Sequence, residues 1–218
     1  MTYICWSALY EGATDEAYYE ILIPRLMEDI ALRRGNRNIT IPTKAAVLLG
    51  EHGRGVDDVA IEARASQEAF HIIFIHADTG GRGLEQNLDH HSVAYCQRLN
   101  SLFAFSTDRC VTITPRHETE AWILADPYAI ASALGYQRSP DTIELPKNAV
   151  EAERLVDPKA ELNRCVNLAT GNRRRTPVAR LIPLISRNQS LNALRKSKSF
   201  RDFESKLVTA MISLGCID

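Results

Sequence analysis

The sequence predicts an α/β fold in which a mostly parallel central sheet is flanked by helices and followed by a helical, basic C-terminal extension. Two observations predict this class. Short runs rich in β-branched and aromatic residues alternate with longer segments of helical periodicity, as a series of βαβ units requires. The most strand-like run, His71–Ile75, is unbroken in its apolar character from Ile72 onward, as expected of a central strand covered on both faces.

The core is predicted to begin with a strand that is followed directly by a long helix. Residues Tyr3–Tyr10 form a β-branched and aromatic run that stops at Glu11. Thr14 can cap a helix whose apolar residues recur at helical spacing until Gly35. Pro24 lies inside this helix and predicts a kink.

Strands and helices continue to alternate through residue 136, which we take as the end of the α/β core (1–136). The further strands are predicted at Ala45–Leu49, His71–Ile75 and Cys110–Thr114. A further helix is predicted at about 56–69, and the stretch after the third strand is partly helical up to Leu102. Another helix is predicted from Glu118 to Ala125, with an extension through Pro127 to Leu134. Residues 137–218 form the predicted extension, with loops and short helices up to 176 and helices at about 177–187 and 199–214.

Charge is distributed unevenly along the chain, although the net charge is only −1. Residues 1–170 carry 16 basic and 24 acidic side chains, whereas residues 171–206 carry 10 basic and 2 acidic ones. A concentrated basic segment can contact a nucleic-acid backbone, dock on an acidic partner protein, or form a solvated helix face. The nucleic-acid candidates are Arg173, Arg174, Arg175, Arg180, Lys196 and Lys198.

The five cysteines are scattered and include no Cys-x-x-Cys pair, so a disulfide framework or a zinc knuckle is not expected. The sequence shows no signal peptide and no apolar run of the roughly 20 residues that a membrane helix needs. We therefore expect a cytoplasmic protein.

Acidic and metal-binding residues follow three of the predicted strands. These pairs are Glu11 with Asp15, His76 with Asp78, and Glu118 with Glu120. The carboxyl ends of parallel strands meet at one edge of the sheet, where ligands bind. Crowded carboxylates repel one another unless a cation lies among them, and oxygen ligands suit Mg²⁺ or Mn²⁺. The sequence thus predicts a divalent-metal site at this edge.

The same residues carry a family resemblance. Tyr10-Glu11-Gly12-x-Thr14-Asp15 resembles the Glu-Gly-x-x-Asp signature that opens Toprim domains. The run from Ile72 to Gly80 is similar to the second Toprim motif, a hydrophobic strand that ends in Asp-x-Asp. The segment from Pro115 to Asp126 resembles small stand-alone Toprim-like proteins, many of them encoded beside an ABC/SMC-type ATPase in an arrangement like a split overcoming-lysogenization-defect (OLD) nuclease.

The resemblance implies roles for individual residues. Glu11 is the expected metal ligand or general base, with Asp15 assisting it, and Asp78 is the expected first aspartate of the Asp-x-Asp pair. Gly80 stands where the second aspartate is expected, so that Glu120, or alternatively Glu118, would complete the site. His76 is either an auxiliary ligand or a packed, hydrogen-bonded histidine.

The resemblance further implies a Mg²⁺-dependent nuclease or nickase, the effector subunit of an ATPase-linked anti-phage or DNA-processing system. The expected partners are DNA or RNA, an ABC/SMC-type ATPase subunit and a second copy of the chain, with no membrane. The alternatives are a non-catalytic regulatory Toprim module bound to an ATPase, which the loss of a carboxylate at Gly80 favours, and a plain nucleotide-binding α/β module.

Overall fold

The computed structural model describes residues 2–35, 38–79, 92–171 and 177–218, and confirms the predicted α/β class. Four parallel strands form the central sheet in the spatial order β4-β2-β5-β6, and two short parallel strands, β1 and β3, pair separately. The strands are β1 (Thr2–Tyr3), β2 (Trp6–Leu9), β3 (Ile39–Thr40), β4 (Val47–Leu48), β5 (Ile72–His76) and β6 (Cys110–Ile113).

Helices connect the strands of the sheet and continue into the C-terminal part of the chain. The α-helices of the described ranges are α1 (Ala13–Arg33), α2 (Val56–Ala65), α3 (Val93–Phe103), α4 (Thr119–Ile123), α5 (Pro127–Ala133), α6 (Ala149–Ala152), α7 (Pro158–Ala169), α8 (Val178–Asn188), α9 (Leu191–Leu194) and α10 (Lys198–Ser213). Within the described residues, short 3-10 helices lie at Gln67–Ala69, Thr107–Arg109 and Pro140–Ile143.

The two faces of the sheet are covered by different hydrophobic clusters. Successive side chains of a strand point to opposite faces, so Ile72 and Phe74 of β5 join one cluster and Ile73 and Ile75 join the other. Helix α1 packs on the first face and α2 on the second. The result is a three-layer arrangement in which β5 is buried along its whole length.

The C-terminal helices belong to the same hydrophobic core as the sheet. Phe200 and Phe203 of α10 pack against Trp122 with ring centroids 5.1 and 5.7 Å away, and Phe203 also contacts Phe74 of β5. Tyr18 of α1 donates a hydrogen bond to Gln189 just after α8. The predicted extension therefore packs on the core through aromatic rings, not only through surface charge.

Several boundaries differ from the predicted ones. The predicted first strand is divided into β1 and β2, because the chain leaves one pairing partner at Tyr3 and takes another at Trp6. Helix α1 contains Pro24 in its interior, as predicted. Residues 137–176 include the 12-residue helix α7, which the sequence analysis assigned to loops and short helices.

The predicted helix from Glu118 to Leu134 is two helices separated at Asp126. The carboxylate of Asp126 accepts hydrogen bonds from the backbone N–H groups of Tyr128 and Ala129, and so caps α5. Its other oxygen accepts the N–H of Ser190 at 2.9 Å, which ties α5 to the segment after α8. A single buried side chain thus begins α5 and anchors the C-terminal part.

We expect Asp126→Ala to lower the free energy of unfolding by about 2 kcal/mol or more, since a lost cap costs roughly 1 kcal/mol and the buried Ser190 contact adds to it. Urea denaturation followed by circular dichroism measures the change. The matched control is Asn148→Ala, which removes the two-bond cap of α6 at an exposed position. Equal losses in the two variants would show that the contact with Ser190 contributes nothing.

One disulfide corrects the cysteine prediction. Cys96 of α3 is bonded to Cys110 at the start of β6, and the other cysteines, Cys5, Cys165 and Cys216, are not part of a disulfide. The distant pairing could not be read from spacing, because it depends on how α3 packs beside β6. Alkylation of the unfolded, unreduced protein is expected to modify three cysteines, and five after reduction, as measured by intact mass.

In the part of the chain that the structure describes, no helix combines the length and the apolar character needed to cross a membrane.

Candidate metal centre

The crossovers of the sheet create a crevice between β2 and β5. From β2 the chain crosses through α1 on one face to β4, whereas after β5 it reaches β6, on the other side, by way of α3 on the opposite face. Connections that leave two neighbouring strands in opposite directions open a crevice outside their carboxyl ends, and this is where α/β sheets bind ligands. The residues after Leu9 and Ile75 therefore lie at this crevice.

Glu11, His76 and Asp78 meet in this crevice. Each offers one ligand atom, and the three atoms lie within 4.8 Å of one another. Glu11 follows β2 by two residues, His76 is the last residue of β5, and Asp78 follows it by two. The site joins residues 65 or more positions apart in the sequence because β2 and β5 are neighbouring parallel strands. This group could hold a metal ion.

His76 is the buried member of the group, with 2% of its surface exposed. Its Nε2 lies 3.3 Å from Asp78 Oδ1, and its Nδ1 lies 3.9 Å from Asp15 Oδ2. The ring also packs against Tyr19 with centroids 5.0 Å apart. Asp15, which belongs to the first turn of α1, is thus brought beside the group although it is not one of its three members.

Thr119, a residue that the sequence analysis did not single out, links these side chains. Its hydroxyl donates to Asp15 Oδ1 at 2.7 Å and lies 3.1 Å from His76 Nε2. Its backbone N–H donates to Asp78 Oδ1 at 3.2 Å. The residue before Glu118, His117, has a positive φ of 68°. This left-handed conformation, which few residues other than glycine adopt, turns the chain after β6 so that Thr119 faces the site.

Glu118 and Glu120 flank Thr119 in the sequence at the start of α4. Glu118 has extended backbone angles at the start of α4, whereas Glu120 lies in its first turn. Trp122, in the next turn, is fully buried and donates from Nε1 to Ser199 Oγ at 2.7 Å. Glu118 interacts electrostatically with Asp78, a member of the group, and Glu120 interacts with Asp15, which lies beside the group.

Crowding and burial raise the pKa of three of these acids. Loss of water contact raises the pKa of Glu11, and the charges of Asp78 and Asp15 raise it further, while His76 and the backbone of Asp78 oppose the change. Burial raises the pKa of Glu118, with the charge of Asp78 adding to it. Burial raises the pKa of Glu120 to about 7. A divalent cation would reverse these shifts by compensating the negative charge.

Family comparison places this site within a described family. The family model with the description Domain of unknown function (DUF4276) matches residues 10–208. The chain belongs to the DUF4276 family. The match begins just before Glu11 and includes every residue of the candidate centre. Among curated proteins and among solved structures, no significant match to this DUF4276 chain was found.

Arg54 is a second residue of the DUF4276 site that sequence reasoning missed. Its guanidinium donates a hydrogen bond to the backbone oxygen of Glu11, and its own carbonyl accepts one from the Tyr95 hydroxyl. Arg54 also lines a cleft of about 270 Å³ beside Gly12 and Glu16 of the α1 start. A lone arginine in a polar turn carries no sequence signal, so only the fold reveals its position.

The basic residues of the DUF4276 chain have different surroundings. Arg180, Lys196 and Lys198 are exposed, as a nucleic-acid contact or a solvated face requires. Arg195, by contrast, forms ion pairs with Asp29 and Glu204 and thereby ties α10 to α1. Four residues of the sequence analysis lie outside the described ranges, namely Gly80, Arg173, Arg174 and Arg175.

Proposed function

We propose that this protein is a Mg²⁺- or Mn²⁺-dependent enzyme that cleaves phosphodiester bonds in nucleic acid. The observation that carries the proposal is the convergence of Glu11, His76 and Asp78 to within 4.8 Å at the crevice between β2 and β5. Asp15 lies beside this group, and the further acids Glu118 and Glu120 interact electrostatically with Asp78 and Asp15, respectively. So many acids around one point favour a hard divalent cation over a neutral ligand.

Each residue has a specific task in this proposal. Glu11 and Asp78 hold the ion, and a bound Mg²⁺ or Mn²⁺ supplies polarisation of a phosphoryl oxygen. Glu120, with a pKa of about 7, can take up or release a proton near neutral pH. Arg54 holds the backbone of Glu11 in place. The exposed side chains Arg180, Lys196 and Lys198 supply positive charge for the phosphate backbone.

The proposal includes an ABC/SMC-type ATPase as the partner that delivers or licenses the substrate, in defence against phage or in DNA processing. Its support is the sequence resemblance of the Glu11, Asp78 and Glu118–Asp126 segments to stand-alone Toprim-like proteins. The competing role, a non-catalytic module of such an ATPase complex, differs in one measurable way. A non-catalytic module predicts that neither the isolated chain nor the complex shows metal-dependent cleavage.

The test is cleavage of supercoiled plasmid, linear duplex, single-stranded DNA and tRNA by the purified chain. The buffer contains Mg²⁺, Mn²⁺ or EDTA at about 5 mM, a concentration chosen to saturate weak Mg²⁺ sites. The expected result is nicking or cleavage of at least one substrate with Mg²⁺ or Mn²⁺ and none with EDTA. Mn²⁺ binding is measured in parallel by calorimetry. Absence of both Mn²⁺ binding and cleavage would overturn the proposal, whereas Mn²⁺ binding without cleavage would favour the regulatory role.

A further inference from the structure

The hydroxyl of Thr119 contacts three side chains of the candidate centre at once. Thr119 is fully buried. Its Oγ1 lies 2.7 Å from Asp15 Oδ1, 3.1 Å from His76 Nε2 and 3.1 Å from the Tyr19 hydroxyl. A threonine hydroxyl has one proton to donate and two lone pairs to accept with. These three contacts therefore use its whole hydrogen-bonding capacity.

The direction of each of these hydrogen bonds follows from counting protons. The single Thr119 proton goes to Asp15, because a carboxylate can only accept. Thr119 Oγ1 must then accept from both other partners, Tyr19 and His76. Nε2 of His76 consequently carries a proton. The same N–H lies 3.3 Å from Asp78 Oδ1, which also accepts the backbone N–H of Thr119.

We infer that Thr119 is a positioning residue that fixes His76 as a hydrogen-bond donor, so that the ion is held by the oxygens of Glu11 and Asp78 and not by the His76 ring. A protonated nitrogen has no lone pair for a metal ion. Its partner nitrogen, Nδ1, is buried, lacks a hydrogen bond and lies on the side of Asp15. The inference rests on the proposed metal function and narrows it to oxygen coordination.

Oxygen coordination has a consequence for metal preference. Imidazole ligands favour Zn²⁺, Ni²⁺ and Cu²⁺, whereas carboxylate and water ligands suit Mg²⁺ and Mn²⁺. By holding His76 in its donor form, Thr119 selects for the metals that phosphodiester chemistry uses. His76 then acts from outside the coordination sphere, as a hydrogen-bond donor to the ligand Asp78. Mutation of such partners of a metal ligand typically changes metal affinity about 10- to 100-fold.

The first experiment determines which ring nitrogen of His76 carries a proton in the metal-free protein. Long-range ¹H–¹⁵N correlation spectra of the ¹⁵N-labelled, metal-free chain distinguish the two ring nitrogens, and His76→Gln assigns the signal among the six histidines. We expect a proton on Nε2 in the wild-type chain and in Thr119→Ser, and a changed pattern in Thr119→Val. A wild-type ring protonated only on Nδ1 would overturn the inference, whether or not the chain binds Mn²⁺.

The second experiment identifies the atoms that coordinate the bound ion. Electron spin echo spectra of the Mn²⁺-loaded chain detect a directly coordinated nitrogen, and none is expected in the wild type. Calorimetry is expected to show about tenfold weaker Mn²⁺ binding for Thr119→Val and near wild-type binding for Thr119→Ser. A directly bound histidine nitrogen in the wild type would contradict the inference, as would equal affinities of the Val and Ser variants.

With these measurements, failure of the inference can be distinguished from failure of the proposed function. Failure of the wild-type chain to bind Mn²⁺ would overturn the proposed function, and the His76 proton would still decide whether Thr119 acts as described. If Thr119→Val does not fold, the wild-type spectra and the Thr119→Ser variant carry the test, because neither depends on the Val protein. Circular dichroism checks the fold of each variant.

Discussion

Replacement of Glu11 by Gln is expected to weaken Mn²⁺ binding by more than about tenfold and to abolish metal-dependent cleavage, because the change removes one of the two carboxylates that hold the ion. Glutamine has nearly the same shape and can still accept the hydrogen bond from the backbone of Asp78. The substitution thus tests the charge of Glu11 with little change in packing. Calorimetric titration with Mn²⁺ and the plasmid assay measure the two effects.

Although Glu11→Gln weakens metal binding, it is not expected to lower the stability of the metal-free protein. Burial and the charges of Asp78 and Asp15 raise the pKa of Glu11, so its ionised form is unfavourable in the folded protein without metal. A neutral side chain removes that repulsion. The free energy of unfolding of Glu11→Gln at pH 7.5 is therefore expected to equal or exceed that of the metal-free wild type, as measured by urea denaturation.

Glu68→Gln provides the matched control, since Glu68 is exposed and lies in the 3-10 helix that precedes β5, at the opposite end of the sheet. It is expected to leave Mn²⁺ affinity, cleavage and stability unchanged. Glu11→Gln protein that binds Mn²⁺ as tightly as the wild type would place the ion elsewhere and remove the main support for the proposed function.

The location of the site could be predicted from the sequence because it depends on one general rule. Parallel strands end at the same edge of a sheet, so residues that follow such strands meet there. Glu11, His76 and Asp78 obey this rule, and recognising β2 and β5 was enough to bring them together.

The links between these residues could not be predicted, because they depend on the exact path of loops. Thr119 reaches Asp15 and His76 only because His117 adopts a left-handed conformation that no sequence pattern indicated. Arg54 reaches Glu11 from a turn 43 residues away. The same limit explains the missed Cys96–Cys110 bond, in which the partners meet through the packing of α3 beside β6.

The second large effect concerns Glu120 and the pH dependence of stability. Glu120 is only 6% exposed, and burial raises its pKa to about 7 in the folded chain. The charges of Glu118 and Asp15 raise the pKa further, while a hydrogen bond from its own backbone and the charge of Lys159 lower it. The unfolded chain releases this proton near pH 4.5, so the folded state binds the proton more tightly.

The sign of the effect follows from this difference. Below about pH 4 both states are protonated and Glu120 contributes no pH dependence. Between pH 4.5 and 7 the unfolded state loses its proton first, so stability falls as the pH rises. Above pH 7 the folded state holds an unfavourable buried charge that costs up to about 3 kcal/mol.

Glu120→Gln is therefore expected to unfold with nearly the wild-type free energy at pH 4 and with a free energy roughly 2 to 3 kcal/mol higher at pH 8, in metal-free buffer. Urea denaturation at a series of pH values measures the difference, with Glu68→Gln as the variant that shows no such trend. Mn²⁺ is expected to stabilise the wild type more at pH 8 than at pH 5, because the ion favours the ionised acids of the centre. A pH-independent difference between Glu120→Gln and the wild type would show that Glu120 has the same pKa in the folded and unfolded chain, and would exclude it as a proton carrier near neutral pH.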